Sequence, residues 1–200
     1  LSGSEGTLAF ITEARLKLTE LPPSEKALVG IHLNSVEEAI RANLIALEHK
    51  PSAIELMDKR ILDCTLENIE QRKNRFFIEG DPGAILIVEF MEDSMEVILD
   101  KISSLKKTLT GRNMGYHFPV ITGKNINKVW SLRKAGLGVL SNIPGDAKPV
   151  SVIEDTSVHP ENLEKYIIEF QELMKKYKLD CVYHAHISVG ELHLRPVLNL

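Results

Sequence analysis

The sequence has few cysteines and no long apolar run. Its two cysteines, Cys64 and Cys181, lie far apart and lack the Cys-x-x-Cys spacing that binds zinc or an iron-sulfur cluster. The longest apolar runs, such as residues 84–88, are too short to span a bilayer, and no charged-then-apolar signal segment opens the chain. We therefore expect reduced thiols in a cytoplasmic protein without a membrane span.

An excess of positive charge is also lacking. The 24 Lys and Arg residues face 28 Asp and Glu residues, which gives a net charge of −4, so no global positive field attracts nucleic acid or anionic lipid. We expect no nucleic-acid partner. The 200 residues are 44% hydrophobic and 26% charged, which is typical of a globular domain that buries a core.

Strand and helix patterns interleave along the chain without the glycine fingerprint of a nucleotide-binding fold. Residues 84–90 form an almost continuous apolar strand, whereas Leu163, Ile167, Phe170 and Met174 mark one face of a helix. This order predicts an α+β fold with ferredoxin-like units, in which helices pack on one face of an antiparallel or mixed sheet. No repeat or polar linker divides the chain, so we expect one main domain.

Alternation along the last two predicted strands puts four polar side chains on one face of the sheet: His184, His186, His193 and Arg195. A symmetric loop over residues 188–191 predicts that His186 lies directly opposite His193. The same register pairs His184 with Arg195. Opposed side chains have Cβ atoms about 5 Å apart, from which two imidazoles can chelate one metal ion. The alternative is that these histidines only form hydrogen bonds on a solvated sheet face.

Arg133 lies on the apolar stripe of a short predicted helix, together with Val129 and Trp130. One interpretation is a side chain that packs on Trp130 and extends its guanidinium to solvent. The other is a guanidinium that faces a cleft and binds a carboxylate through its planar fork. The spacing allows both.

Two further segments have a structural and a functional interpretation. Glu154 and Asp155 follow a predicted strand, where they either cap the strand end or supply acid/base or metal-binding carboxylates. The glycine-rich residues 3–7 would by themselves be only a turn before a strand. The chain begins with Leu1 rather than Met, so we expect a piece cut from inside a longer protein.

Three motifs indicate a known family: residues 3–8 with 11–14 (Gly-Ser-Glu-Gly-Thr-Leu and Ile-Thr-Glu-Ala), residues 130–133 (Trp-Ser-Leu-Arg) and residues 186–193 (His-Ile-Ser-Val-Gly-Glu-Leu-His). The whole chain resembles the C-terminal substrate (cap) domain of FAD-linked oxidases of the D-lactate dehydrogenase, glycolate oxidase and D-2-hydroxyglutarate dehydrogenase type. It is most similar to the large forms fused to an iron-sulfur domain. Ser188, Val189 and Glu191 replace the Gly, Asp and Asn of the usual loop.

The resemblance implies that residues 1–20 are the tail end of the FAD-binding domain and that residues 21–200 are the cap domain, truncated at its C-terminal end. It implies roles for three groups of residues: cofactor binding by Gly3, Ser4, Glu5, Gly6 and Thr7, substrate binding by Arg133, His184 and Arg195, and binding of a divalent metal such as zinc or manganese by His186 and His193. No catalytic residue is assigned to this chain.

The implied activity is oxidation of a D-2-hydroxy acid of the lactate, glycolate or 2-hydroxyglutarate type, by hydride transfer to FAD held mainly by an upstream domain. An iron-sulfur domain or another acceptor would take the electrons, and the isolated fragment would be inactive. The alternative is a non-catalytic ferredoxin-like module that binds a small carboxylate or metal. Only the enzyme requires a nucleotide-binding domain upstream.

Overall fold

Strands and helices alternate in residues 3–199, which the computed structural model describes. The strands are β1 (Glu25–Leu33), β2 (Ala53–Asp58), β3 (Ala84–Glu92), β4 (Val120–Thr122), β5 (Lys148–Pro149), β6 (Ile153–Ser157), β7 (Cys181–His186) and β8 (Glu191–Leu198). The helices are α1 (Val36–Glu48), α2 (Lys59–Glu67), α3 (Ile69–Arg72), α4 (Met95–Gly111), α5 (Asn125–Leu140) and α6 (Leu163–Lys176). Residues 9–23 form neither and have exposed side chains. No helix in the described range has the length and apolar composition that a membrane crossing requires.

All strand pairs are antiparallel. The strands lie in the order β4-β1-β3-β2-β7-β8, and β5 and β6 both pair with β8. The part β4-β1-β3-β2, with α1 and α4 as its crossover helices, is a ferredoxin-like unit. The predicted α+β class and antiparallel sheet are confirmed.

Helices cover both faces of this sheet, whereas the sequence led us to expect them on one. The first hydrophobic core contains α1, α4 and α6, and the second contains α2 and α5. Strand β3 shows the reason, because Ala84, Leu86 and Val88 belong to the first core and Ile85 and Ile87 to the second. An unbroken apolar strand presents apolar side chains on both faces, so each face needs its own helices.

Asp58 begins α2 and ties it to β7. Its Oδ1 accepts a hydrogen bond of 3.0 Å from the Ile61 backbone N, and its Oδ2 accepts one of 2.8 Å from the Tyr183 backbone N. Burial raises the pKa of this carboxyl to about 6. One side chain thus holds β7, which carries His184 and His186, beside the end of β2.

The β7–β8 hairpin has a register two residues away from the predicted one. His184 lies opposite His193, and His186 lies opposite Glu191. The predicted pairing of His186 with His193 and of His184 with Arg195 is therefore wrong. Because the shift is an even number of residues, the four predicted polar side chains still share one face of the sheet.

Contacts outside the hairpin decide where its turn lies. Gly190 has a φ of 75°, and a Cβ on it would lie 1.7 Å from the Val158 backbone O, so only glycine fits there. The Val158 backbone N donates to the Gly190 O at 2.9 Å, and Asn43 Nδ2 donates to the Ile187 O at 3.2 Å. These contacts start β8 at Glu191, one residue earlier than a symmetric loop over residues 188–191 requires.

His32 is a buried histidine in β1, outside the predicted polar face. The side chain is fully buried, and its Nε2 accepts a hydrogen bond of 3.3 Å from the Glu79 backbone N. Burial, and secondarily the charge of His117, lower its pKa to about 4. The folded protein therefore holds this imidazole neutral at a pH where an unfolded chain would protonate it.

We expect replacement of His32 with glutamine to remove part of the pH dependence of stability. Between pH 6.5 and about 4 only the unfolded state binds this proton, so acidification destabilises the fold by about 1 kcal/mol per pH unit. The raised pKa of Asp58 has the opposite effect, because acidification between its unfolded pKa and about 6 stabilises the fold. This effect is the same in the wild type and in the His32→Gln variant. The measurement is the opening free energy of β1 amides by hydrogen exchange in the intact protein. Parallel pH profiles for wild type and variant would contradict the expectation.

Candidate functional site

The predicted polar face of β7 and β8 is the centre of a charged cluster beside α5. One part of it joins Arg133 of α5, Glu55 of β2 and His186 of β7. Glu55 Oε2 accepts hydrogen bonds from Arg133 Nε at 3.0 Å and Nη2 at 2.6 Å, while Glu55 Oε1 lies 2.8 Å from His186 Nδ1. The side chains of Arg133 and Glu55 are only 15% and 12% exposed. The helix α5 thus meets the sheet through a shielded ion pair.

A second group repeats the same geometry on the neighbouring strands. Glu154 Oε1 of β6 accepts a hydrogen bond from Arg195 Nε at 2.8 Å and lies 2.7 Å from Arg195 Nη2 in an ion pair, and Glu154 Oε2 lies 2.7 Å from His193 Nδ1. Burial by itself would raise the pKa of Glu154, but Arg195 and His193 hold it below its ordinary value. In each Arg–Glu–His group, one carboxylate oxygen binds the guanidinium and the other binds the imidazole.

This arrangement leaves one nitrogen of each imidazole available. A carboxylate oxygen only accepts, so the Nδ1 atoms of His186 and His193 are the donors in these bonds, and in the tautomer that carries its proton on Nδ1 each ring has its lone pair on Nε2. Arg133 Nη2 lies at 3.2 and 3.4 Å from the two nitrogens of His186. A donor on the lone-pair axis of Nε2 would lie much closer to Nε2 than to Nδ1. Because the two distances are nearly equal, Arg133 Nη2 lies off that axis.

The geometry of the two imidazoles fits a divalent metal ion. Their ring centroids are 5.3 Å apart. Each Nδ1 is held by a carboxylate, as is usual for metal-binding histidines. Donor atoms of His186, Glu191 and His193 all lie within 4.8 Å of one another, and those of Glu154, Asp155 and His193 form a second such group. Imidazole and carboxylate donors suit zinc and similar ions.

His184 lies directly opposite His193 in the β7–β8 ladder, and the two ring centroids are 5.5 Å apart. Burial, and then the charges of Arg133 and the neighbouring histidines and arginine, lower its pKa to about 3. His184 Nε2 and Arg195 Nη1 are both buried without a hydrogen-bond partner among the described residues. Such unpaired groups cost free energy unless a bound molecule pairs with them.

The structure therefore brings together five of the predicted site residues: Arg133, His184, His186, His193 and Arg195. The predicted cofactor-binding residues 3–7 are not joined to them by any hydrogen bond or ion pair in the described range. They form an exposed turn in which the backbone N and Oγ1 of Thr7 donate to the Ser4 O at 2.9 and 2.6 Å. The roles assigned to all these residues stay predictions.

Sequence reasoning missed Glu55 and left Glu154 undecided. Glu55 is a charged residue inside an apolar strand, between the buried residues Ile54 and Leu56. That interruption was a usable signal, because a charge in a central strand needs a partner. Its partner Arg133 lies 78 residues away in the sequence, and nothing in the local pattern predicts that the two meet.

The family described as FAD linked oxidases, C-terminal domain, matches residues 22–200 of the chain. The chain belongs to this family. This FAD-linked oxidase C-terminal domain is 33% identical to the D-2-hydroxyglutarate dehydrogenase of Escherichia coli (strain K12), over 100% of the chain but only 20% of that protein. It is 26% identical to the glycolate oxidase subunit GlcD of Bacillus subtilis (strain 168), over 96% of the chain and 39% of that protein. The chain thus spans about a fifth of the length of the dehydrogenase relatives.

Solved structures support the same fold. Alkyldihydroxyacetonephosphate synthase matches 89% of the domain with a TM-score of 0.58 at 14% identity, which covers 37% of that chain. The p-cresol methylhydroxylase structure matches 88% with a TM-score of 0.57 at 10% identity, over 39% of its chain. At these identities the likeness concerns the fold alone.

Proposed function

We propose that this domain binds the substrate and a divalent metal in an FAD-dependent dehydrogenase or oxidase of D-2-hydroxy acids. The observation that carries the proposal is the pair of Arg–Glu–His groups on one sheet face, which holds two imidazoles with their Nε2 atoms available. The relatives' names supply the substrate class: D-2-hydroxyglutarate, glycolate and D-lactate. D-2-hydroxyglutarate is the first candidate, because two relatives of that name are 33% and 34% identical to the chain, whereas the glycolate oxidase subunit is 26% and the Archaeoglobus fulgidus D-lactate dehydrogenase 24% identical.

The chain's own residues would bind and orient the acid. Arg133 and Arg195 each use Nε and Nη2 on an internal glutamate, which leaves Nη1 of each for a substrate carboxylate. The neutral His184, with its unpaired Nε2, would hydrogen bond the same molecule. Glu55 and Glu154 neutralise the two arginines, so the residues of the site do not form a concentrated positive charge.

His186 and His193 would hold the metal through Nε2. A bound metal ion would polarise the hydroxyl and carboxylate of the acid, and FAD would accept the hydride. The base that takes the hydroxyl proton is proposed to lie outside these residues. The domain would thus position the hydroxy acid while other parts of the protein carry the flavin.

The exposed residues 9–23 support an upstream partner domain. Phe10 and Leu21 are both 93% exposed, and Leu18 is 87% exposed, which is unfavourable for large apolar side chains unless another surface covers them. We propose that this surface is the FAD-binding domain and that residues 3–7 contribute to it. An iron-sulfur domain or another acceptor would receive the electrons. The two free cysteines accord with a cytoplasmic location.

The test is anaerobic reduction of the flavin in the intact protein by the D and L forms of 2-hydroxyglutarate and lactate, and by glycolate. We expect one D-acid to bleach the flavin absorbance, and a chelator to abolish the bleaching. The matched control is the same titration with the L form of that acid. A flavin that none of these acids reduces would contradict the proposal and favour a module that only binds carboxylate or metal.

A further inference from the structure

Glu55 lies at the point where helix α5 meets strands β2 and β7. Its Oε2 accepts hydrogen bonds from Nε and Nη2 of Arg133, on α5, and its Oε1 lies 2.8 Å from Nδ1 of His186, on β7. Arg133 is proposed to bind the substrate carboxylate, and His186 is proposed to bind the metal. One carboxylate on β2 therefore contacts a member of each of these two binding groups.

We propose that Glu55 is a positioning residue of the reaction. It fixes the guanidinium of Arg133 relative to the imidazole of His186, so that the carboxylate and the hydroxyl of one acid are bound together in the correct orientation. The inference rests on the proposed function, because it takes the roles of Arg133 and His186 from there. It adds a residue that would touch neither the acid nor the metal and would act through both groups that do.

The chemistry of a 2-hydroxy acid makes this relative position important. Its carboxylate and its hydroxyl are attached to neighbouring carbon atoms, so the groups that bind them must keep one fixed separation. If that separation changes, the acid can still be bound by its carboxylate, but the hydrogen on its second carbon no longer points at the flavin. A misplacement of about 1 Å can lower the rate of a reaction about 100-fold.

The backbone alone does not fix the separation of Arg133 from His186. The two residues belong to different elements and lie 53 positions apart in the sequence. Helix α5 packs on the sheet through apolar residues of the second core, such as Val129 and Leu132, and apolar contacts are not directional. Hydrogen bonds between charged groups are directional, so Glu55 is the contact that orients the guanidinium.

The second Arg–Glu–His group differs in this respect. Arg195 and His193 are two residues apart on the same strand, β8, and share one of its faces. Strand geometry therefore already sets their separation, whereas Glu154 only holds the two side chains. The contrast identifies Glu55 as the carboxylate that places one element of the site against another.

Glu55 is itself held firmly, as a reference point for two other side chains must be. It pairs with Ile87 of β3, and the next residue, Leu56, pairs with Ala185 of β7. Strand β2 thus has a neighbour on both sides, and the Glu55 side chain is only 12% exposed. A supporting group on a rigid, buried strand positions its partners more precisely than one on a loop does.

The test separates hydride transfer from binding of the acid. Stopped-flow absorbance of the intact protein without oxygen gives the rate constant of flavin reduction at saturating acid, and the Kd of that acid. The acid is D-2-hydroxyglutarate, or the one of D-lactate and glycolate that reduces the wild-type flavin. Saturating Mn²⁺ is present throughout, because loss of the carboxylate beside His186 also weakens metal binding.

Glu55→Gln keeps the size of the side chain and removes its charge. We expect the rate constant at saturating acid to fall about 10- to 100-fold, because the acid is misplaced. The Kd of the acid is expected to change less than about threefold, because Arg133 still binds the carboxylate. A role in stability alone would lower the flavin content and leave the rate constant of the folded protein unchanged.

Two further variants complete the test. Glu55→Asp retains the charge but has a shorter reach, so its rate constant is also expected to fall; it replaces Glu55→Gln in the comparison if that variant loses its flavin. Glu92→Gln is the matched control, because Glu92 of β3 pairs with Lys101 of α4 in another ion pair between strand and helix, with side chains 29% and 28% exposed. It is expected to reduce its flavin at the wild-type rate.

The outcomes separate this inference from the proposed function. Slower reduction in both Glu55 variants, with Kd, flavin content and control unchanged, supports the positioning role. A Glu55→Gln rate constant within about twofold of wild type, with or without a raised Kd, overturns it, and so does a wild-type rate in Glu55→Asp, since charge alone would then be sufficient. In either case the proposed function stands if His193→Ala is still impaired. A wild-type flavin that none of these acids reduces overturns both.

Discussion

Replacing His193 with alanine is expected to lower the rate of flavin reduction by a D-2-hydroxy acid at least about 100-fold. The side chain is central to the site, because its Nδ1 is held by Glu154 and its ring lies beside both His184 and His186. Its loss removes one proposed metal ligand and leaves the other without a chelating partner. The measurement is the rate of anaerobic bleaching in the intact protein, together with its metal content.

The control for this variant is His159→Ala. His159 is an exposed histidine whose Nδ1 lies 3.9 Å from a carboxylate oxygen of Glu161, which is also exposed, so its loss is expected to leave rate and metal content unchanged. Flavin content has to be equal in all three proteins, because a lower value would indicate misfolding. A His193→Ala protein that retains metal and reduces its flavin at the wild-type rate would contradict the proposed site.

Replacing Glu154 with alanine is expected to destabilise the β6–β8 region by about 3–5 kcal/mol. The side chain of Arg195 is only 5% exposed, and Glu154 is its ion-pair partner. Without this carboxylate, a buried guanidinium keeps its charge and loses its ion-pair partner together with the hydrogen bond from Nε. The measurement is the opening free energy of β8 amides, from hydrogen exchange followed by mass spectrometry in the intact protein.

Two further variants test the cause of that loss. Glu164→Ala removes the partner of Arg41 in an ion pair that is 44% and 41% exposed, and its expected cost is below about 1 kcal/mol. The double replacement Glu154→Ala with Arg195→Met is expected to recover most of the stability, because no unpaired buried charge remains. Equal costs for Glu154→Ala and Glu164→Ala would show that burial of the pair is not the cause.

Much of the fold could be predicted from local patterns. Interleaved periodicities of two and 3.6 residues predicted the α+β class. Local chemistry also explains where α1 begins, because Ser35 is its N-cap and the Ser35 Oγ accepts from the Glu38 backbone N at 3.2 Å. The second helical layer could also have been predicted, since the apolar run of β3 requires a cover on both faces.

The site was predictable in its composition but not in its register. Strand alternation alone assigned His184, His186, His193 and Arg195 to one face, and that assignment survived a register error because the error was an even number of residues. The turn between the strands is set by Val158 and by Asn43, from other parts of the chain. No pattern within the hairpin contains that information.

The sequence by itself determined which residues share a face, because a side chain's direction follows from the period of its own strand or helix. It also carried the motifs by which the family resemblance was recognised. Only the tertiary structure decided which of these side chains bind each other. Glu55 reaches Arg133 and His186, and Glu154 reaches His193 and Arg195, across sequence separations of 39 to 131 residues. Contacts over such distances depend on how helices and strands pack, which local periodicity does not specify.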